Sequence, residues 1–309
     1  MGIASFGSVR KVMRALSEVR RHTALNARIC LVGSPDLLTE AGRLLSGGSD
    51  DATAFSDAFD VLQRADFPAR PEALRRWSLV VFLEDAAQPV RAELRASLAF
   101  CRATECPAIV AVVRDTEAVA VERPAWLGGA ELTSREFVVH TRGTAAAHSA
   151  LCRRIATVAG DQGLTLAATL PALRPAVVAH IIESTARQNA AVGVLIFIPG
   201  ADLPVMTLNQ IKMVLRIGAA YGHQPSLERA VEMLGIVATG FGLRALARKG
   251  ATYVPGLGWA LKGVVGYTAT QAMGRTAVAY FERGAPLTTN RLGRFSQGFE
   301  RLAKGRSTR

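Results

Sequence analysis

The sequence predicts an α/β N-terminal domain on a parallel sheet, followed by an all-α, apolar, membrane-embedded helical domain. Three observations lead there. Between residues 28 and 160, short continuous apolar runs alternate with helical patterns, the signature of a parallel sheet covered on both faces. Near residue 165 the pattern changes to long apolar helices. Half of all residues are hydrophobic and only 20% are charged, giving a mean hydropathy of +0.21.

Residues 1–27 come first, as a basic amphipathic helix. Phe6, Val9, Val12, Met13, Leu16 and Val19 recur at three- and four-residue spacing, with Arg10, Lys11, Arg14, Arg20 and Arg21 mostly off that stripe. Two readings stand, a helix lying on anionic lipid and an arm packed on its own protein. No continuous apolar run marks a signal peptide.

In the 28–160 domain, Arg28-Ile-Cys-Leu-Val-Gly33 reads as a strand, and Leu37 to Leu45 as a helix. Residues 47–76 are polar, with Phe59-Asp-Val-Leu62 as a possible strand. Ser78-Leu-Val-Val-Phe-Leu83 is a buried strand ended by Glu84-Asp85, and Pro89 to Arg102 is helical. Pro107 to Val113 and Phe137 to His140 are further strands, and Thr144 to Ala159 closes the domain as a helix. The helical domain, residues 165–283, contains helices from Pro175 to Ala191, Val205 to Tyr221, Leu227 to Lys249 and Gly256 to Phe281. Residues 284–309 form a basic tail.

The net charge of +12 is uneven. Residues 1–28 carry six basic and one acidic residue, and residues 282–309 seven and two, a net +5 at each end. Residues 29–160 carry 14 basic and 17 acidic, a net −3. Basic surface seeks phosphate. Beside so much apolar sequence, anionic membrane lipid is the expected partner, together with a protein partner or a second copy of the chain. Aromatic residues make up only 6% and do not alternate with basic ones, so nucleic acid is not expected.

Gln188 to Ile211 is 24 residues with one charge, Asp202, long enough to span about 30 Å of hydrocarbon. Pro199, Gly200 and Pro204 break it in mid-span, so a bundle of buried helices is the other reading. Glycines at 258, 263 and 266, and at 235, 240 and 242, permit close helix approach. Basic ends predict both termini and the first domain on the cytoplasmic side of the membrane, with an even number of spans. Asp202 reads as a helix N-cap rather than an ion site.

The order strand, Gly33-Ser-Pro-Asp36, helix resembles the phosphate loop of Era-like small GTPases, G-x-P-N-x-G-K-S. Gly33 and Pro35 match and Asp36 nearly does. Where the family has G-K-S, this chain has Leu38, Thr39 and Glu40. The lysine would neutralise phosphate and the hydroxyl hold magnesium, whereas a glutamate there opposes anion binding. Val113-Arg-Asp-Thr116 stands where N-K-x-D reads guanine, and His140-Thr141 where the family has Ser-Ala. The resemblance implies a degenerate P-loop GTPase-like domain with no bound cofactor. Another flavodoxin-like or Rossmann-like domain is the alternative.

The second half resembles the YcjF-like domain of bacterial inner-membrane proteins, often fused behind Era-like domains. The resemblance rests on Ile198-Pro-Gly-Ala-Asp-Leu-Pro204, Leu208 to Met213, Tyr221-Gly222, Val254-Pro-Gly-Leu-Gly258, Gly266 to Gly274 and Tyr280-Phe281. It marks Pro199, Gly200, Asp202, Pro204, Lys212, Gly222, Pro255, Gly256, Gly258 and Gly274 as family positions and implies membrane association without a known reaction.

Cysteines 30, 101, 106 and 152 form no CxxC pair, so neither a disulfide framework nor a metal site is expected. Cys30 reads as a buried small hydrophobe, and the Cys101 to Cys106 run as incidental. No G-x-S-x-G, H-E-x-x-H or intact G-x-G-x-x-G occurs, so no catalytic residue is assigned. The expected function is a non-catalytic membrane scaffold with a pseudo-GTPase domain. An atypical GTP-binding protein and a soluble helical interaction module are the alternatives.

Overall fold

The computed structural model describes residues 3–24, 26–48, 58–67, 70–86, 92–115, 137–195, 203–225 and 258–283. The first helix, α1 (Ile3–Thr23), leads into β1 (Ile29–Gly33), α2 (Pro35–Leu45) and β2 (Phe59–Gln63). The one-turn α3 (Pro71–Leu74), β3 (Leu79–Asp85), α4 (Ala92–Ala103), β4 (Ala108–Arg114), β5 (Phe137–Thr141) and α5 (Ala145–Ala159) complete the sheet layer. Among the described residues four α-helices follow: α6 (Gly163–Thr169), α7 (Arg174–Leu195), α8 (Leu203–Ala220) and α9 (Gly258–Arg283).

The five strands are parallel throughout, in the order β2-β1-β3-β4-β5. This is the doubly wound order in which the chain switches direction at β1 and β3. The possible strand at 59–62 forms as β2, pairing Phe59 with Ile29 at the sheet edge. Because successive side chains point to opposite faces, β1, β3 and β4 feed two cores. Cys30, Val32, Val80, Phe82, Val110 and Val112 pack against Leu74, Trp77, Leu94, Leu98 and Cys101. Ile29, Leu31, Leu79, Val81, Leu83, Ile109 and Ala111 pack against Leu37, Leu45, Leu151 and Ile155. That second core runs without interruption through Leu164, Leu173 and Ile181 to Met213, Val214, Met273 and Phe281.

The membrane-embedded part of the fold class is overturned. Among the described residues, no helix is long and apolar enough to cross a membrane. The apolar stretch from 188 to 211 is not one helix, since α7 ends at Leu195 and α8 starts at Leu203. Each long helix also carries polar groups that a span would leave in hydrocarbon. Glu183, Arg187 and Asn189 lie on α7, Asn209, Gln210, Lys212 and Arg216 on α8, and Gln271, Arg275 and Glu282 on α9. The apolar faces of these helices instead bury one another. The inner-membrane placement and the even-span topology rested on those spans and fall with them. The expected helix at 227–249 and the tail at 284–309 lie outside the described residues.

Helix α1 packs on its own protein through the later half of its stripe. Ala15, Leu16 and Val19 are buried, and Lys212 of α8 donates to Glu18 at 2.7 Å. That hydrogen bond and the lysine's charge hold the Glu18 carboxyl below its ordinary range, against the effect of burial. Met13 stays 45% exposed, and the side chains of Phe6, Val9 and Val12 lie outside the described residues.

Candidate functional site

In an open parallel sheet, ligands bind beyond the C-terminal strand ends, where the strand order reverses. Here that place is the loop from β1 to α2. Gly33 ends β1, but crowding explains it better than room for phosphate. A Cβ there would lie 3.0 Å from Leu83 Cβ and 3.1 Å from the Leu83 carbonyl oxygen on β3. Ser34 is the extended N-cap of α2 and makes no side-chain cap bond, and Pro35 takes the first turn, where its missing N–H does no harm. Asp36 is exposed in that turn and adds a negative charge.

Thr39, which stands where an Era-like loop has its lysine, turns its hydroxyl back onto its own helix. Its Oγ1 donates to the Pro35 carbonyl at 2.8 Å, a local helix bond. Glu40 faces Arg142 at 3.7 Å, and Arg142, just past β5, also lies 3.0 Å from Asp115. One guanidinium therefore ties α2 to the loops after β4 and β5.

The main feature is a pair that sequence reading left unmatched. Gln63 pairs with Gly33 across β1 and β2, so Arg64 follows one step beyond the strand end. Glu84 stands at the matching position on β3, opposite Val112 of β4. Arg64 Nη2 donates to Glu84 Oε1 as an ion pair, and the two side chains are only 15% and 10% exposed. The pair joins the strands on either side of β1 across its C-terminal end, where a phosphate loop would open. Sequence alone could not match the two residues because 20 positions separate them.

A second polar centre lies inside the helical unit. Thr270 of α9 accepts from Asn189 Nδ2 at 2.9 Å and from Gln210 Nε2 at 3.1 Å, and donates to the Gly266 carbonyl at 2.7 Å. Asn209 donates to Asn189 Oδ1 at 2.9 Å. Asn189, Gln210 and Thr270 are fully buried. At the surface, Glu183 accepts from Tyr267, Gln271 and Arg187, each at 2.7 Å, beside a cleft of about 790 Å³ between α7 and α9.

The described positions that the YcjF-like resemblance marks do not converge on a site. Lys212 binds Glu18, Pro204 sits in the first turn of α8, and Gly258 starts α9. Gly222 ends α8 at φ +79°. Gly263, Gly266 and Gly274 of α9 bring it close against α7: added Cβ atoms would meet Val194 at 2.8 Å, the Asn189 carbonyl at 2.9 Å and Ile182 at 2.6 Å. Pro199, Gly200, Asp202, Pro255 and Gly256 lie outside the described residues, as do the glycines at 235, 240 and 242. Among the described residues no three His, Cys, Asp or Glu side chains group to hold a metal ion.

No protein-family model matches the chain, and no curated protein or solved structure does. Nothing in these comparisons identifies an Era-like or YcjF-like domain, or places the chain among transmembrane proteins.

Proposed function

We propose that this chain is a non-catalytic scaffold or regulatory protein, in which a GTPase-type α/β layer that no longer binds nucleotide is fused to a helical unit that meets a protein partner or a second copy. The observation that carries this reading is the Arg64–Glu84 ion pair across the end of β1. A phosphate loop needs open backbone N–H groups and a lysine facing the ligand. At this position two shielded side chains neutralise each other, Thr39 is bonded to its own helix, and Asp36 and Glu40 add negative charge. The Era-like ancestry is proposed on Gly33, Pro35 and Asp36 after an interior strand, and the YcjF-like ancestry on the motif order from Ile198 to Phe281. The continuous core joining the two parts favours a scaffold, because partners on either part then share one rigid frame.

Calorimetric titration with magnesium-GTP and magnesium-ATP tests the proposal. The expected result is no binding at micromolar nucleotide, and no gain in the Thr39→Lys/Glu40→Ser double variant, since the base-reading N-K-x-D is also missing. Stoichiometric binding by the unaltered chain would overturn the proposal in favour of an atypical GTP-binding protein.

A further inference from the structure

We propose that Cys101 and Cys106 are a reversible dithiol–disulfide pair in which Cys106 reacts first. Helix α4 ends in a Schellman turn: Glu105 N–H donates to the Arg102 carbonyl at 3.1 Å and Cys106 N–H to the Cys101 carbonyl at 2.9 Å. This turn brings the side chains of its first and sixth residues together. Both are cysteines here, Cys101 at the first position and Cys106 at the sixth, and the Cys106 thiol reaches the Pro107 carbonyl at 3.9 Å. With the 2.9 Å bond in place, backbone bond lengths keep the two Cα atoms within about 7 Å, the limit for a disulfide. The same turn ends α8, where Gly222 N–H donates to Ala219 and His223 N–H to Gly218. There the left-handed position is a glycine, whereas in α4 it is Glu105 at φ +55°, the sole non-glycine residue with positive φ among the described residues.

The two thiols differ in access. Cys101 is fully buried. Cys106 is half-buried and lines a cleft of about 740 Å³ with Trp77, Arg75, His22 and Asp161, so a small oxidant reaches Cys106 alone. The neighbouring thiol and burial push Cys101 above the ordinary cysteine range, and the Cys101 thiol holds Cys106 below it against the effect of burial, while burial pushes Cys30 up and Cys152 to about 11. With a peroxide, the Cys106 thiolate attacks one oxygen. The S–O bond forms, the O–O bond breaks, and water leaves after protonation, giving a sulfenic acid. Cys101 sulfur then attacks Cys106 Sγ. The S–S bond forms, the S–O bond breaks, and the Cys101 proton leaves with the oxygen as a second water. Two thiols are oxidised by two electrons and one peroxide is reduced to two waters.

Full-length protein is treated with hydrogen peroxide, alkylated under denaturing conditions, digested and read by mass spectrometry. The expected result is the loss of two of the four alkylatable thiols, a Cys101–Cys106 linkage two hydrogens lighter, alkylated Cys30 and Cys152, and full reversal by dithiothreitol. In Cys101→Ser, Cys106 should be trapped by dimedone as the sulfenic acid. The unaltered protein decides the matter even where that variant does not fold. The proposal is overturned if Cys106 stays alkylatable, passes to the sulfinic acid without bridging, or bridges to Cys30.

Discussion

Gly274 of α9 lies directly on Ile182 of α7. A Cβ at 274 would come within 2.6 Å of Ile182 Cγ1, 2.8 Å of Cδ1 and 2.9 Å of Cγ2. The two γ-carbons branch from a β-carbon whose rotamer is stiff within a helix, so they cannot swing aside. Gly274→Ala should therefore destabilise by roughly 1–3 kcal/mol, although alanine suits a helix better by up to about 1 kcal/mol. Denaturant unfolding checks it. Ile182→Ala should also destabilise, and the double variant should lose clearly less than the sum of the two. Additive losses would refute the contact.

Arg64 and Glu84 should behave as a shielded ion pair. Glu84→Gln or Arg64→Met alone leaves the other charge poorly solvated and should lose roughly 3–5 kcal/mol. Replacing both, as Arg64→Met with Glu84→Leu, should recover most of that loss in the same unfolding measurement. Single variants within about 0.5 kcal/mol of the parent protein would contradict the burial of the pair.

The Asp60 carboxylate of β2 predicts an acid limb. Burial raises its pKa, but hydrogen bonds from Trp77 Nε1 at 2.5 Å and Arg28 Nη2 at 2.6 Å, with the charges of Arg28 and Arg76, outweigh burial and hold it below the ordinary range. A lowered folded pKa contributes stability that is fully present above the unfolded value of about 3.9 and is lost as pH falls through the folded value. The stability gap between the unaltered protein and Asp60→Asn should therefore be constant above about pH 5 and narrow steadily below about pH 4. Thermal melts across that range test it, and a gap that widens on acidification would reverse the sign.

Thr270→Val keeps the shape of the side chain but removes the oxygen shared by Asn189 and Gln210. Two buried amide donors lose an acceptor, and the expected destabilisation is roughly 1–3 kcal/mol. Thr268→Val on the same helix is the control. Its hydroxyl donates only to backbone, it is exposed, and its loss should stay within about 0.5 kcal/mol.

Much of the architecture was written locally. Apolar runs such as Val80 to Leu83 and Ile109 to Val113 admit no solvent on either face, so they had to be interior parallel strands. Thr39 and Glu40, where an Era-like phosphate loop would carry lysine and serine, were legible for the same reason, since a motif at fixed spacing is local. The reading of residues 165–283 as a membrane-embedded domain failed on tertiary grounds. Hydropathy does not distinguish lipid from neighbouring helices as the apolar solvent, and the glycines at 263, 266 and 274 draw α9 and α7 together.

By itself, the sequence determined the alternation of strand and helix and the parallel character of the sheet. Each depends on neighbours a few positions apart. Only the tertiary structure decided that Arg64 meets Glu84, that Thr270 joins Asn189 and Gln210, and that the end of α4 closes a turn with a cysteine at its first and sixth positions. The first two depend on strand and helix register across long separations, and the third on a left-handed backbone at Glu105, a position where a glutamate gives no local sign of the turn.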